Sequence, residues 1–195
     1  RRGRHERGDL SAGTDEVAGF SVAQTVTTLF MVGALAIGSG AAIAVNLRGA
    51  ADRTRLNVHG LRTALWVALP PYLVVAALAF LIRVPMSRLL TSNPPIANVT
   101  AGYFAVVAPT LITFGGVLAM LTYLEQIGLA RWAFALNAAY FTVLVIIAFA
   151  LPQPVHAGDL ARLIAIGNVA GFATLLVSAA RLVRRPVPGD RAAAH

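Results

Sequence analysis

The chain has 195 residues, of which 57% are apolar and only 12% are charged, and its mean hydropathy is +0.73. Soluble domains usually carry about 25% charged residues, so this composition excludes an ordinary water-soluble protein and predicts an all-α integral membrane protein. The absence of cysteine excludes disulfides and thiolate metal sites. The net charge of +8 comes from arginine without an aromatic-interleaved basic patch, so we expect no nucleic-acid partner.

Residues 1–16 are predicted to form a polar, basic N-terminal tail or loop. This segment holds four arginines and four acidic residues but no apolar core, so it is not an intact signal peptide. The chain begins with arginine rather than methionine. Five helices with a cytoplasmic C-terminus would place this tail outside the cell, whereas its arginines prefer the cytoplasm. Both observations lead us to expect a further helix before residue 1.

Five apolar stretches follow, and we predict that they form a transmembrane helical bundle over residues 17–182. A bilayer core about 30 Å thick needs about 20 apolar residues at a rise of about 1.5 Å each. Every stretch meets that length. The stretches are residues 17–45, 61–82, 98–124, 132–151 and 160–180.

The first stretch carries polar and small residues. Gln24 and Thr28 are four residues apart and therefore share one helical face. A glutamine in a membrane needs a partner or water, so it either lines a hydrated pathway or holds helices together. Ala34, Gly38 and Ala42 repeat at the same spacing, which allows another helix to approach closely, as a static contact or as a sliding seam.

The second and third stretches contain internal prolines. Pro70 and Pro71 lie in the middle of the second, and Pro109 lies in the middle of the third. Each proline removes a backbone hydrogen bond, so we predict helix bends at these positions. In a transporter such bends serve as hinges or leave carbonyl groups free for ligands, whereas in a static bundle they only shape packing.

The last two stretches supply further polar residues. Asn137 and Tyr140 are three residues apart on the fourth stretch, and Asn168 lies on the fifth. With Gln24 and Thr28 they are our candidates for lining a transport pathway. No ionisable residue lies deep inside any stretch, so the sequence provides no obvious residue for proton or sodium coupling.

Catalytic and metal-binding patterns are missing from the sequence. All four histidines lie in predicted loops or tails without metal-ligand spacing. No nucleophile elbow, P-loop or zinc-protease motif is present. We therefore expect that the protein is not an enzyme and that it holds no cofactor and no metal.

Arginines are distributed unevenly between the connections. The loop after the first stretch, the loop after the third and the C-terminal end together carry nine arginines, whereas the other two loops carry three. By the positive-inside rule, the first group lies on the cytoplasmic side of a cell membrane. Residues 183–195 are therefore predicted to form a basic cytoplasmic tail.

Three segments resemble the multidrug and toxin extrusion (MATE) transporter family. Residues 15–21 (DEVAGFS) are similar to the acidic, alanine-rich entry into the second helix of a MATE lobe. Residues 40–52 (GAAIAVNLRGAAD) resemble the exit of that helix before a basic cytoplasmic loop. Residues 123–131 (YLEQIGLAR) look like the turn between the fourth and fifth helices, and the likeness covers most of residues 15–185.

This resemblance implies two six-helix lobes around a central cavity, with export of drugs or metabolites by H⁺ or Na⁺ antiport through alternating access. The chain would supply five helices of one lobe, with the first helix of that lobe missing, and the basic tail suggests that this is the C-terminal lobe. The other lobe would lie in the same or another chain. The substrate would be a small amphipathic or cationic organic molecule. Because no acidic residue occupies a family cation site, no coupling residue is carried over.

Two alternatives stay open at this stage. A flippase for lipid-linked precursors or polysaccharides, from the same superfamily, would resemble this chain but would favour a strongly cationic cavity. A non-transporting membrane fragment or scaffold would also fit five helices without an ionisable core.

Overall fold

The computed structural model describes residues 2–47, 53–152 and 155–184. These residues form seven α-helices and no β-strand, which confirms the predicted all-α class. The helices are α1 (Arg2–Asn46), α2 (Arg53–Leu81), α3 (Arg83–Leu90), α4 (Pro94–Val107), α5 (Leu111–Leu124), α6 (Ala130–Ala150) and α7 (Ala157–Leu182). Most of the predicted C-terminal tail lies outside the described residues.

Four continuous helical stretches are long and apolar enough to cross a membrane, and one of them contains two crossings. That stretch, Pro94–Ala150, has 57 residues. As one straight helix it would measure about 85 Å, almost three times the thickness of a bilayer core. The turn Glu125–Leu129 divides it, because Gly128 has a φ of 88°, which glycine adopts without steric cost. The prediction of five membrane helices is therefore confirmed.

Helix α1 is longer than the membrane requires. It begins at Arg2, so its first turns consist of residues that the sequence assigned to a polar tail or loop. Its 45 residues extend over about 67 Å, and the part suited to the bilayer is Gly13–Ala44. The apolar segment of α1 thus lies close to the predicted residues 17–45.

Helix α1 runs parallel to α4 and α5 and packs against them through glycine. Near one end, the Thr100 hydroxyl donates to the Gly19 carbonyl oxygen at 3.1 Å. Near the other end, a Cβ atom on Gly38 would lie 2.7 Å from the carbonyl oxygen of Ala119. The small-residue ridge predicted on α1 is therefore a close packing surface for α5.

Helix α2 runs antiparallel to α1 and α5 and packs against both of them. The Tyr72 ring packs on Gly115 of α5, and the Tyr123 hydroxyl donates to the Asn57 carbonyl oxygen at 2.9 Å. This second contact joins the end of α5 to the beginning of α2. The membrane crossings formed by α1, by α2 and by α4 with α5 therefore alternate in direction, as short connections between membrane helices require.

The two groups of loops lie at opposite ends of the bundle. Leu61, Leu124, Ala133 and Leu182 share one buried cluster, so the start of α2, the α5–α6 turn and the end of α7 lie together. We call this the basic end, since exposed arginines surround the cluster. They are Arg62, Arg131, Arg181 and Arg184. The cytoplasmic location of this end stays a prediction.

Candidate functional site

Helices α6 and α7 pack through two glycines of α7. A Cβ atom on Gly171 would lie 2.8 Å from the Tyr140 ring, and one on Gly167 would lie 2.6 Å from the Leu144 side chain. Large side chains of α6 therefore occupy the places that ordinary side chains of α7 would fill. This packing fixes the register of α6 along α7 and therefore the position of Tyr140.

A chain of hydrogen bonds runs from Tyr140 across α7 to the break between α4 and α5. The Tyr140 hydroxyl donates to Asn168 Oδ1 at 3.0 Å, and Asn168 Nδ2 donates to the Thr110 Oγ1 at 3.0 Å. The Thr110 hydroxyl donates in turn to the Val107 carbonyl oxygen at 2.8 Å. Asn168 is only 3% exposed, so both ends of its amide need the partners that they have.

Pro109 lies in the 3₁₀ turn Ala108–Thr110, which separates α4 from α5. Proline cannot donate to the carbonyl group four residues earlier, so a regular α-helix is interrupted there. The Thr113 hydroxyl donates to the Thr110 carbonyl oxygen at 2.7 Å, which gives one backbone acceptor of the turn a partner. This turn brings the Thr110 side chain within reach of Asn168.

A cavity of about 290 Å³ lies between α5, α6 and α7. Asn137 and Tyr140 line it from α6, and Gly167, Gly171 and Thr174 line it from α7. Its other walls are aliphatic, and no charged residue of the described chain contributes to them. The cavity is therefore an apolar space within the membrane with a small number of polar groups.

Asn137 and Asn168 have different environments although they look alike in sequence. Asn168 is hydrogen-bonded through its oxygen and its nitrogen. The Asn137 side chain is half-buried at the cavity wall and makes no hydrogen bond to the described residues. Among those residues no fully buried side-chain polar atom lacks a partner, so the Asn137 amide is not sealed inside the bundle.

Gln24 and Thr28 do not join this group. The Tyr103 hydroxyl approaches Gln24 Oε1 at 3.5 Å, which is a long and weak hydrogen bond. Thr28 is exposed on α1, and its hydroxyl donates to the Gln24 carbonyl oxygen at 2.9 Å. The structure therefore gathers Asn137, Tyr140 and Asn168 and leaves the two candidates of α1 away from the cavity.

Pro70 and Pro71 are exposed within α2 and are not among the residues that line the cavity. The next residue, Tyr72, is buried between α1 and α5. Its hydroxyl donates to the Phe30 carbonyl oxygen and accepts from the Ala34 backbone N–H at 2.8 Å. The double proline thus precedes the tyrosine that joins three helices.

Three important residues are not among the candidates that the sequence provides. Thr174 lines the cavity, Thr110 accepts a hydrogen bond from Asn168, and Tyr72 joins α2 to α1 and α5. The adjacent Gly115 and Gly116 were an available signal, because such pairs admit aromatic rings from neighbouring helices. The Tyr72 ring packs on Gly115, and the Phe172 ring of α7 packs on Gly116.

The end opposite the basic end is held by a carboxylate of α1. Glu16 Oε1 lies 3.1 Å from His156 Nδ1, and Glu16 Oε2 accepts from the Ala157 N–H at 3.2 Å. Asp159 accepts from the His156 N–H at 3.3 Å. These contacts place negative charge at the start of α7, where the helix dipole favours it.

Five membrane helices, with a cavity between three of them, define a polytopic membrane protein of the kind that includes transporters. The family model described as MatE matches residues 8–150, which is 143 of the 195 residues. The chain therefore belongs to the MATE family of membrane transporters. No curated protein and no solved structure matches it. Helix α7, which supplies Asn168, lies beyond the matched region.

Proposed function

We propose that the protein is part of a secondary active efflux transporter that exports drugs or metabolites by antiport with H⁺ or Na⁺. Alternating access in such transporters takes place around a site near the middle of the membrane. Family membership supports transport, and the position of the cavity between membrane helices supports a site at that depth. A second lobe, in the same or another chain, completes the transporter.

The unpaired amide of Asn137 carries this proposal. Polar groups in the hydrocarbon region are costly, and those that persist there without a partner serve a ligand, an ion or water. Asn137 meets this description at the wall of the cavity, and Tyr140 lies one helical turn away. Asn168 supports the site indirectly, because it fixes the Tyr140 hydroxyl.

The residues for ion coupling are not assigned in this proposal. No carboxylate of the described chain lines the cavity. No cationic residue lines it either, which favours an exporter over a flippase for anionic lipid-linked precursors. The proposed location is the cell membrane, with the basic end in the cytoplasm.

The test is export by cells that express the protein from its complete reading frame. The dye panel contains neutral and cationic amphipathic compounds, and we expect efflux of the exported ones to fall when the proton gradient is collapsed or when sodium is replaced. Asn137→Leu is expected to change the resistance profile without lowering the amount of protein in the membrane. Asn98→Leu, which removes an exposed amide at the start of α4, serves as the matched control. Unchanged export in Asn137→Leu would remove this residue from the pathway.

A further inference from the structure

We propose that the cavity between α5, α6 and α7 binds uncharged, largely apolar molecules that carry one hydrogen-bonding group, and that it discriminates against organic cations. The physiological meaning of this selectivity rests on the proposed export function, since it names the substrate class. The cavity itself is a feature of the described helices.

The wall of the cavity fits the apolar part of such a molecule. Aliphatic side chains from all three helices form most of it. They include Val117, Leu121, Leu136, Val143, Leu144 and Ile166. A volume of about 290 Å³ is at the lower end of small-molecule pockets, so the cavity suits a bicyclic aromatic compound better than a large dye.

The absence of charge from the wall disfavours a cation. No carboxylate of the described residues lines the cavity, so a bound ammonium group would lose its water without gaining a counter-ion. The Tyr140 ring would be the remaining attraction for a cation, but it packs against Gly171. Its hydroxyl group is already engaged by Asn168.

Two polar groups on the wall have free hydrogen-bonding capacity. The Asn137 amide and the Thr174 hydroxyl line the cavity, and neither forms a hydrogen bond to the described residues. An amide both donates and accepts, so Asn137 can recognise a hydroxyl, a carbonyl or an amide group of a ligand. A single polar contact in an apolar pocket fixes orientation, as is usual for small-molecule sites.

The cavity is accessible from the side of the bundle. Val143 and Ile166 line it and are 54% and 68% exposed, and both lie within membrane-spanning helices. Their exposed surfaces border an opening of the cavity on the side of the bundle. Uncharged apolar compounds concentrate in the hydrocarbon region, so they reach this opening from within the bilayer.

The test compares two probes that share a ring system and differ in one polar substituent, which is neutral in one probe and charged in the other. 1-Naphthalenemethanol is neutral, whereas 1-naphthylmethylamine has the same ring system and is protonated at pH 7. Each is titrated by calorimetry into the purified complete protein. We expect the alcohol to bind at least about tenfold more tightly than the amine. A tenfold difference is about the free-energy cost of leaving one buried polar group without a partner. Equal affinities, or tighter binding of the amine, would overturn the proposal.

Variants of Asn137 locate the binding. Asn137→Leu should weaken binding of the alcohol by about tenfold, because one hydrogen bond is lost. Asn137→Asp introduces a carboxylate and should reverse the preference in favour of the amine. Asn98→Leu should leave both affinities unchanged. If Asn137→Leu binds the alcohol like the parent, or if Asn137→Asp keeps the preference for the alcohol, the proposed site is wrong.

Transport by the same preparation in proteoliposomes separates this inference from the proposed function. Gradient-driven export of cationic dyes, without Asn137-dependent binding of the alcohol, would overturn the selectivity and leave export standing. Asn137-dependent binding without any gradient-driven export would support the cavity as a binding site and contradict the proposed function.

Discussion

Two regions of the bundle use the same packing device with different results. In the first, which we call the Tyr72 seam, the Tyr72 ring packs on Gly115 and its hydroxyl bonds to the backbone of α1. In the second, the Tyr140 seam, the Tyr140 ring packs on Gly171 and its hydroxyl bonds to the Asn168 side chain. The first seam is closed by three helices, whereas the second borders a cavity.

The difference between the seams follows from how much of each helix is enclosed. In α2, Ala64, Ala68 and Ala76 are buried and allow α1 and α5 to approach from both sides. In α6, only Ala133 is buried, so most of the helix faces outward. A tyrosine on a glycine therefore seals a contact only where further small residues let a third helix reach it. Where they do not, space and unpaired polar groups remain for a ligand.

The largest expected effect is disruption of the Tyr72 seam. A Cβ atom on Gly115 would lie 2.3 Å from Tyr72 Cγ, and the ring is enclosed between α1 and α5. Gly115→Leu should therefore abolish folded protein, measured as the monodisperse fraction in fluorescence-detected size-exclusion chromatography. Gly102→Leu is the matched control, because nothing lies within 4 Å of a Cβ atom there. A normal profile for Gly115→Leu would show that the packing around Tyr72 can accommodate the added side chain.

The same change in the Tyr140 seam should be milder. A Cβ atom on Gly171 would lie 2.8 Å from the Tyr140 ring, which borders open space. Gly171→Leu should cost about 1–3 kcal/mol, the usual range for overpacking, because the ring can move into the cavity. Thermal unfolding in detergent measures this cost. A loss as complete as that of Gly115→Leu would contradict the contrast between the seams.

Removal of the two hydroxyl groups should reverse the order of the effects. Tyr140→Phe leaves the buried Asn168 oxygen without its donor, at an expected cost of about 1 kcal/mol. Tyr72→Phe should cost less, because Phe30 and Ala34 are four residues apart in α1 and can bond to each other. Melting temperatures of the two variants test this order. A greater loss of stability in Tyr72→Phe would mean that the Phe30 and Ala34 backbone groups cannot bond to each other when the Tyr72 hydroxyl is removed.

The fold was largely predictable, because the apolar length of a stretch is sufficient to identify a membrane helix. Each of the five predicted stretches falls on the expected helix or helix pair. The start of α1 at Arg2 was not predictable from hydropathy, because arginine and glutamate are good helix formers outside the hydrocarbon region. The turn after α5 was predictable from the resemblance of residues 123–131, within which Gly128 has its positive φ.

The sequence named Asn137, Tyr140 and Asn168 together with Gln24 and Thr28, but it did not show how these five residues are arranged. Gln24 and Asn137 are both amides within apolar stretches, and only the packing of α6 on α7 shows which one faces the cavity. The partners of Asn168 depend on the register between helices and on the turn at Pro109. Hydropathy carries no information on either, because both sides of such a helix are apolar.

The smallest expected effect on stability comes from the polar groups that face the cavity. Asn137→Leu and Thr174→Val remove groups that have no hydrogen bond to the described residues, so each should change stability by less than about 0.5 kcal/mol. Asn168→Leu is the contrasting variant, because it removes a buried amide that has two partners and should lower the melting temperature clearly. Thermal unfolding of the three variants measures the difference.

If Asn137→Leu destabilises the protein as much as Asn168→Leu does, the Asn137 amide supports the fold rather than a ligand. A stable Asn137→Leu with altered binding would instead assign the amide to the cavity, because a group with no structural partner can act only on what enters that space.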